Sequence, residues 1–98
     1  MTKISITLKK LIEDVSCYED SYDIYIDNKF TFSSYELCIL TDDEELVQDF
    51  SYVFGVYVLK DIIDNLCQQK PDFTTEDAIN AMKFYYHNDA FVNLLANK

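Results

Sequence analysis

The chain contains no arginine and no tryptophan, and it has one histidine, one glycine and one proline in 98 residues. The missing arginine excludes most. A planar guanidinium is the usual tool for gripping phosphate and reading guanine. Here every cation is a lysine, and eight of them face eighteen carboxylates, a formal net charge of -10. Such a surface repels a polyanion, so direct nucleic-acid binding is not expected. Anionic membrane surfaces are disfavoured for the same reason. Long apolar runs are also missing. The opening Met1-Thr-Lys-Ile-Ser-Ile-Thr-Leu-Lys-Lys10 has no apolar core for export and no later stretch approaches a membrane span, so a cytoplasmic protein is expected. Gly55 and Pro71 leave little punctuation for long loops, which places most residues in regular elements. Cys17, Cys38 and Cys67 are odd in number and form no CxxC pair. Cys38 in an apolar strand and Cys67 on an apolar helix stripe read as buried small hydrophobes in a reducing compartment. No GxSxG, phosphate-binding glycine loop or HExxH is present, and the chain is read as non-enzymatic, with no cofactor and no metal.

What is present is enough for a core. Hydrophobic residues make up 49% and aromatic residues 15%, too many for a disordered acidic tail. A chain of this length buries somewhat over ~60% of its unfolded surface, which supports one domain, residues 1–98, without staples. The elements predict an α/β or α+β fold, a three- to four-stranded mixed sheet with four to five helices around it. Ile4, Leu8, Leu11, Ile12 and Val15 recur at helical spacing, with Thr2 or Ser5 as N-cap. Tyr22, Ile24 and Ile26 alternate with Asp23, Tyr25 and Asp27, a half-buried strand. Asn28-Lys29 suits a tight turn into a return strand Phe30–Phe32. Leu37–Leu40 lacks polar alternation and reads as a central strand covered on both faces. Thr41 with Glu44 three residues on has capping-box spacing, and Asp42, Asp43, Glu44 and Glu45 fill a first turn, so a helix is predicted from there to Gly55. Val56–Leu59 then reads as a strand parallel to Leu37–Leu40, with that helix as crossover. Ile62, Ile63, Leu66 and Cys67 stripe a helix ending near Lys70-Pro71. Thr74 caps another, with Glu76 and Asp77 in its first turn, which Asn88-Asp89 breaks before a short helix from Ala90 to Ala96.

Eight tyrosines are a second feature, since tyrosine supplies contact area and a hydroxyl at low entropic cost and is enriched in protein interfaces. Tyr22, Tyr57 and Tyr85 fit core positions, whereas Tyr18, Tyr25 and Tyr35 are harder to bury. Tyr18 and Tyr25 among Glu19, Asp20, Asp23 and Asp27, together with Asp42, Asp43 and Glu45, form the candidate partner-binding set, an anchor-plus-charge surface for a basic protein. A solvated acidic face is the plainer account of each single position. The Asp42–Glu45 run lacks the alternating spacing and central glycine of a calcium loop. His87, between Tyr86 and Asn88 at a helix end, reads as a residue near terminal carbonyls before it reads as a general base.

The runs Gln68-Gln69-Lys70-Pro71, then a Thr-capped acidic turn, then Phe84-Tyr85-Tyr86-His87-Asn88-Asp89-Ala90-Phe91, with Tyr18-Glu19-Asp20 ahead of the Tyr22–Tyr25 strand, resemble a family of small acidic bacterial proteins. That family has no assigned general function, and some members resemble immunity proteins encoded beside contact-dependent growth inhibition toxins. The resemblance implies a cytoplasmic protein that binds and neutralises a cognate toxin domain, such as a nuclease with a basic active-site cleft, by occlusion and charge complementarity. A non-catalytic adaptor or regulatory module, and a DNA-mimic inhibitor, are the alternative readings.

Overall fold

The structure, a computed structural model, describes residues 3–29, 31–42 and 49–93. Strand β1 (Lys3–Thr7) leads into helix α1 (Leu8–Glu13) and a 3-10 turn at Val15–Cys17; strands β2 (Asp23–Asp27), β3 (Leu37–Thr41) and β4 (Phe50–Gly55) follow, then helices α2 (Val56–Gln69) and α3 (Thr75–Asn88). The sheet order is β1-β3-β2-β4, and every neighbouring pair is antiparallel. The fold is therefore α+β, with a four-stranded antiparallel sheet in place of a mixed one. Among the described residues there are three α-helices, not four to five.

Each difference from the expected elements has a local cause. Ile4 and Leu8 share a helical spacing, but Ile4 and Ile6 also share the strand period, and the β-branched Ile4, Ile6 and Thr7 follow the second. The helix begins only after Thr7, whose Oγ1 accepts the Lys10 N–H at 3.3 Å, so the cap is neither Thr2 nor Ser5. The helix expected from Thr41 to Gly55 is replaced over Phe50–Gly55 by β4, and Thr41 ends β3; the acidic first turn, residues 43–45, lies outside the described residues. Val56–Leu59 is the first turn of α2 and not a strand. As a result Tyr57, one residue beyond buried Val56, faces away from the core and is 55% exposed. Cys67 likewise falls beside the buried stripe Leu59, Ile62 and Leu66 and is exposed. No return strand forms at Thr31 and Phe32. Phe32 instead takes a left-handed conformation (φ 58°) and packs its ring on Tyr86. Phe30 is outside the described residues. Residues 91–93 carry no regular structure, and the rest of the expected final helix is not described.

The core lies on one face of the sheet. Ile24 and Ile26 of β2 and Cys38 and Leu40 of β3 are fully buried, and Ile4 and Ile6 of β1 extend the layer. Leu8 and Leu11 of α1, Leu59 and Leu66 of α2, and Ile79 and Met82 of α3 close over it. On β4 a bulge is needed: Ile24 opposes Phe54 but Tyr25 opposes Tyr52, leaving Val53 as the extra residue. Val53 and Phe54 are consequently both buried, while Tyr52 is 52% exposed.

α3 is fixed at both ends. Thr74 Oγ1 accepts the Asp77 N–H at 3.1 Å and Asp77 Oδ2 accepts the Thr74 N–H at 3.0 Å, a reciprocal capping box. Lys70 pairs with the same carboxylate at 2.9 Å. The Thr74 backbone bond and then Lys70 hold the Asp77 carboxyl below its usual range. Asp89, in the left-handed region, ends the helix with its N–H on the Tyr85 carbonyl at 2.7 Å. Thr74→Ala should cost about 1 kcal/mol in urea unfolding at neutral pH; an unchanged midpoint would show that the box does not hold α3.

Burial pushes the Cys38 thiol up to about 12, whereas Cys17 and Cys67 are exposed. An aromatic disulfide reagent at pH 8 should therefore label two thiols quickly and the third only on unfolding. Because the unfolded thiol ionises from its ordinary value of 9.0 while the folded one stays protonated, stability should fall as pH rises from 9.0 toward about 12. Immediate labelling of all three thiols in the folded protein would contradict this burial.

Candidate functional site

Strand geometry decides what the opposite face of the sheet carries. With Ile24 and Ile26 turned to the helices, Asp23, Tyr25 and Asp27 point the other way. Register places Thr41 and Gly55 beside Asp23, Ile39 and Tyr52 beside Tyr25, and Phe50 beside Asp27. Tyr25 packs edge-on against Tyr52, ring centroids 5.8 Å apart. Tyr25 is only 7% exposed, so the expectation that it is the exposed anchor is corrected. β2 is an inner strand, and its tyrosine sits between the side chains of two neighbours. Tyr52, on the edge strand, occupies the accessible position instead.

Tyr57 joins this pair through a glycine. A Cβ at Gly55 would lie 2.7 and 2.8 Å from Tyr57 ring carbons and 3.7 Å from Asp23 Oδ1, so the missing side chain is what lets that ring lie over the backbone beside the carboxylate. Partial burial first, then Asp23, Tyr57 and Tyr25, raise the Tyr52 phenol above its usual value. Asp23 has no lysine within ion-pair distance among the described residues. Around the edge of β4 the surface dips into a hollow of about 280 Å³, where Tyr52 and Tyr57 face Tyr85, Tyr86 and Asp89 from the end of α3.

The other expected site residues are placed apart from this cluster. Lys60 Nζ, from α2, donates to the Tyr18 carbonyl and to Asp20 Oδ1, both at 2.7 Å. Tyr18 is accordingly half-buried against the core, not an exposed anchor, and Asp20 is internally paired. Glu19 is exposed beside them. Asp27, exposed, accepts the Lys29 N–H at 2.8 Å and lies roughly 13 Å along the strand from Asp23. Asp42 is exposed just past Thr41, at the Asp23 end. Asp43 and Glu45 lie outside the described residues. Tyr35, as expected, is highly exposed. Tyr52, Tyr57, Tyr86 and Asp89 were not anticipated, although Phe50, Tyr52 and Phe54 recur at the strand period. His87 meets Phe32 and Tyr86 edge-on, with centroids at 6.3 and 5.3 Å. Among the described residues no group of three or more His, Cys, Asp or Glu side chains could hold a metal ion, and no helix is long and apolar enough to cross a membrane.

A family model described as "Domain of unknown function (DUF7716)" matches residues 5–94. The chain belongs to this family. The match runs from within β1 past the end of α3, so the sheet, the three helices and the tyrosine cluster all fall inside the DUF7716 domain. No curated protein and no solved structure matches the chain.

Gly55→Ala should force the Tyr57 ring away from residue 55 while costing at most about 1 kcal/mol, because the glycine backbone (φ -77°, ψ 160°) suits any residue. The Tyr57 ring resonances should shift by NMR with the amide spectrum otherwise preserved. Unmoved Tyr57 signals would mean that the close approach does not exist in solution.

Proposed function

We propose that this DUF7716 domain is a non-catalytic protein-binding module for a basic partner, and that it works as an immunity protein neutralising a cognate toxin domain in the cytoplasm. The observation that carries the reading is the grouping of exposed Tyr52 and Tyr57 around Gly55 and the neighbouring Asp23 carboxylate, which has no lysine within ion-pair distance among the described residues. Tyrosine rings provide rigid area that excludes water, and a carboxylate at their margin gains strength toward a cation once the partner covers it. A net charge of -10 speeds the encounter with a basic surface. Inhibition then requires only occlusion of the toxin's cleft and no cofactor. The toxin assignment, with a nuclease as the target, is supported by the resemblance to growth-inhibition immunity proteins. An adaptor would use the same surface with a different partner. A DNA mimic fits less well, since Asp14, Asp20 and Asp77 are held by lysines and Asp23 and Asp27 flank a tyrosine instead of forming a phosphate-like row.

The test is binding to the toxin domain encoded next to this gene, measured by surface plasmon resonance at several salt concentrations. Asp23→Lys should slow association about tenfold at low salt and flatten its salt dependence. Tyr52→Ala should act mainly on dissociation, about tenfold or more faster. Absence of a complex even at low salt would end the toxin reading; a complex indifferent to both substitutions would remove this surface from it.

A further inference from the structure

We infer that the hollow between β4, the start of α2 and the end of α3 receives one arginine side chain of the basic partner, an inference that rests on the protein-binding reading above. Four features converge there. Tyr52, Tyr57, Tyr85 and Tyr86 present phenol rings, whose π faces carry negative charge and attract a cation within about 6 Å of the centroid. Asp89 supplies a carboxylate on the same wall. The hollow opens at the C-terminus of α3, where the helix dipole favours positive charge. Among the described residues no lysine lines it, and the chain has no arginine of its own to fill it.

The ring positions are set by packing that leaves the hollow open. Tyr85 is held edge-on against Phe54 at 5.7 Å and tilted against Phe91 at 5.4 Å, and Tyr86 lies against Phe32 at 5.7 Å. Tyr57 is set by its approach to Gly55. His87, next to Tyr86 on α3, meets Phe32 and Tyr86 edge-on and does not line the hollow. A guanidinium suits the site better than an ammonium: it is planar, stacks on an aromatic face, and can still donate in its plane to the Asp89 carboxylate and to phenol oxygens. A lysine would keep more of its hydration in so open a hollow.

The experiment is an NMR titration of the full chain with N-acetyl-arginine amide, following the ring signals of Tyr52, Tyr57, Tyr85 and Tyr86 and the amide of Asp89. Saturable shifts confined to these residues are expected. They should weaken about five-fold in Asp89→Asn, because asparagine tolerates the left-handed cap and keeps α3 intact. Tetramethylammonium should bind more weakly than the arginine probe. Shifts that do not saturate, an equal response in Asp89→Asn, or tighter binding of tetramethylammonium would each overturn the assignment. The two proposals fail separately. A toxin complex equally tight with Asp89→Asn removes the arginine site but not the partner, whereas saturation by the arginine probe with no toxin complex keeps the site and removes the toxin.

Discussion

The burial of Ile24 and Ile26 is the constraint from which the rest of the molecule follows. Each is fully enclosed, and each contributes on the order of 1.5–3 kcal/mol by leaving water. Because the strand period is two, dry isoleucines on one face oblige Asp23, Tyr25 and Asp27 to occupy the other. A slip of one residue would carry both carboxylates into the core. The same parity fixes the neighbours: Cys38 and Leu40 share the helix side through register with Ile26 and Ile24, and Tyr52 shares the outer side with Tyr25. The sidedness that makes the domain stable is thus also what assembles the tyrosine cluster.

The few cations then decide which carboxylates remain available. Lys10, Lys60 and Lys70 pair with Asp14, Asp20 and Asp77. Surface pairs of this kind are worth about 0–1 kcal/mol each, too little to dominate stability, yet they fix geometry. Lys60, bonded also to the Tyr18 carbonyl, ties the chain entering β2 to α2, and Lys70 braces the capping box of α3. Asp23 and Asp89, next to the exposed tyrosines, have no such lysine among the described residues. In a chain with eighteen acids, the distribution of lysines separates internal bracing from the surface proposed to meet a partner.

How much of this was legible in the sequence depended on whether one periodicity stood alone. Thr74 with its acidic first turn, the stop at Lys70-Pro71, and the Tyr22–Asp27 and Leu37–Leu40 strands each carry a single consistent signal, and each is found within a residue or two, although Leu37 is 47% exposed and β3 is covered on one face only, not on both. Where two periods coexist, the strand period prevails over the expected helical one. Ile4 and Leu8 masked Ile4 and Ile6. Phe50, Val53 and Phe54 fit a helix as well as Phe50, Tyr52 and Phe54 fit a strand, and the bulge at Val53 is what satisfies both spacings. That double periodicity conceals half of the candidate site. Asp23 and the tyrosine beside it were visible, but Tyr52 was lost in the expected helix and Tyr57 was turned inward by a strand that does not form.

The bulge also bears on how a partner could engage the edge of the sheet. Without the irregularity, strict alternation would send Tyr52 and Phe54 to the same face, exposing two aromatic rings in a row on the edge strand. With it, Val53 and Phe54 both go inward and Tyr52 stays out. A bulged, strongly twisted edge is a poor template for adding another strand. Recognition at this edge therefore falls to side chains, and the side chains the bulge leaves there are Tyr52 and the rim of the hollow that Tyr57, Tyr86 and Asp89 complete. That arrangement suits a partner that inserts a single long cationic side chain better than one that pairs its backbone, because an inserted side chain needs rings and a carboxylate at fixed positions and asks nothing of the strand's hydrogen bonds.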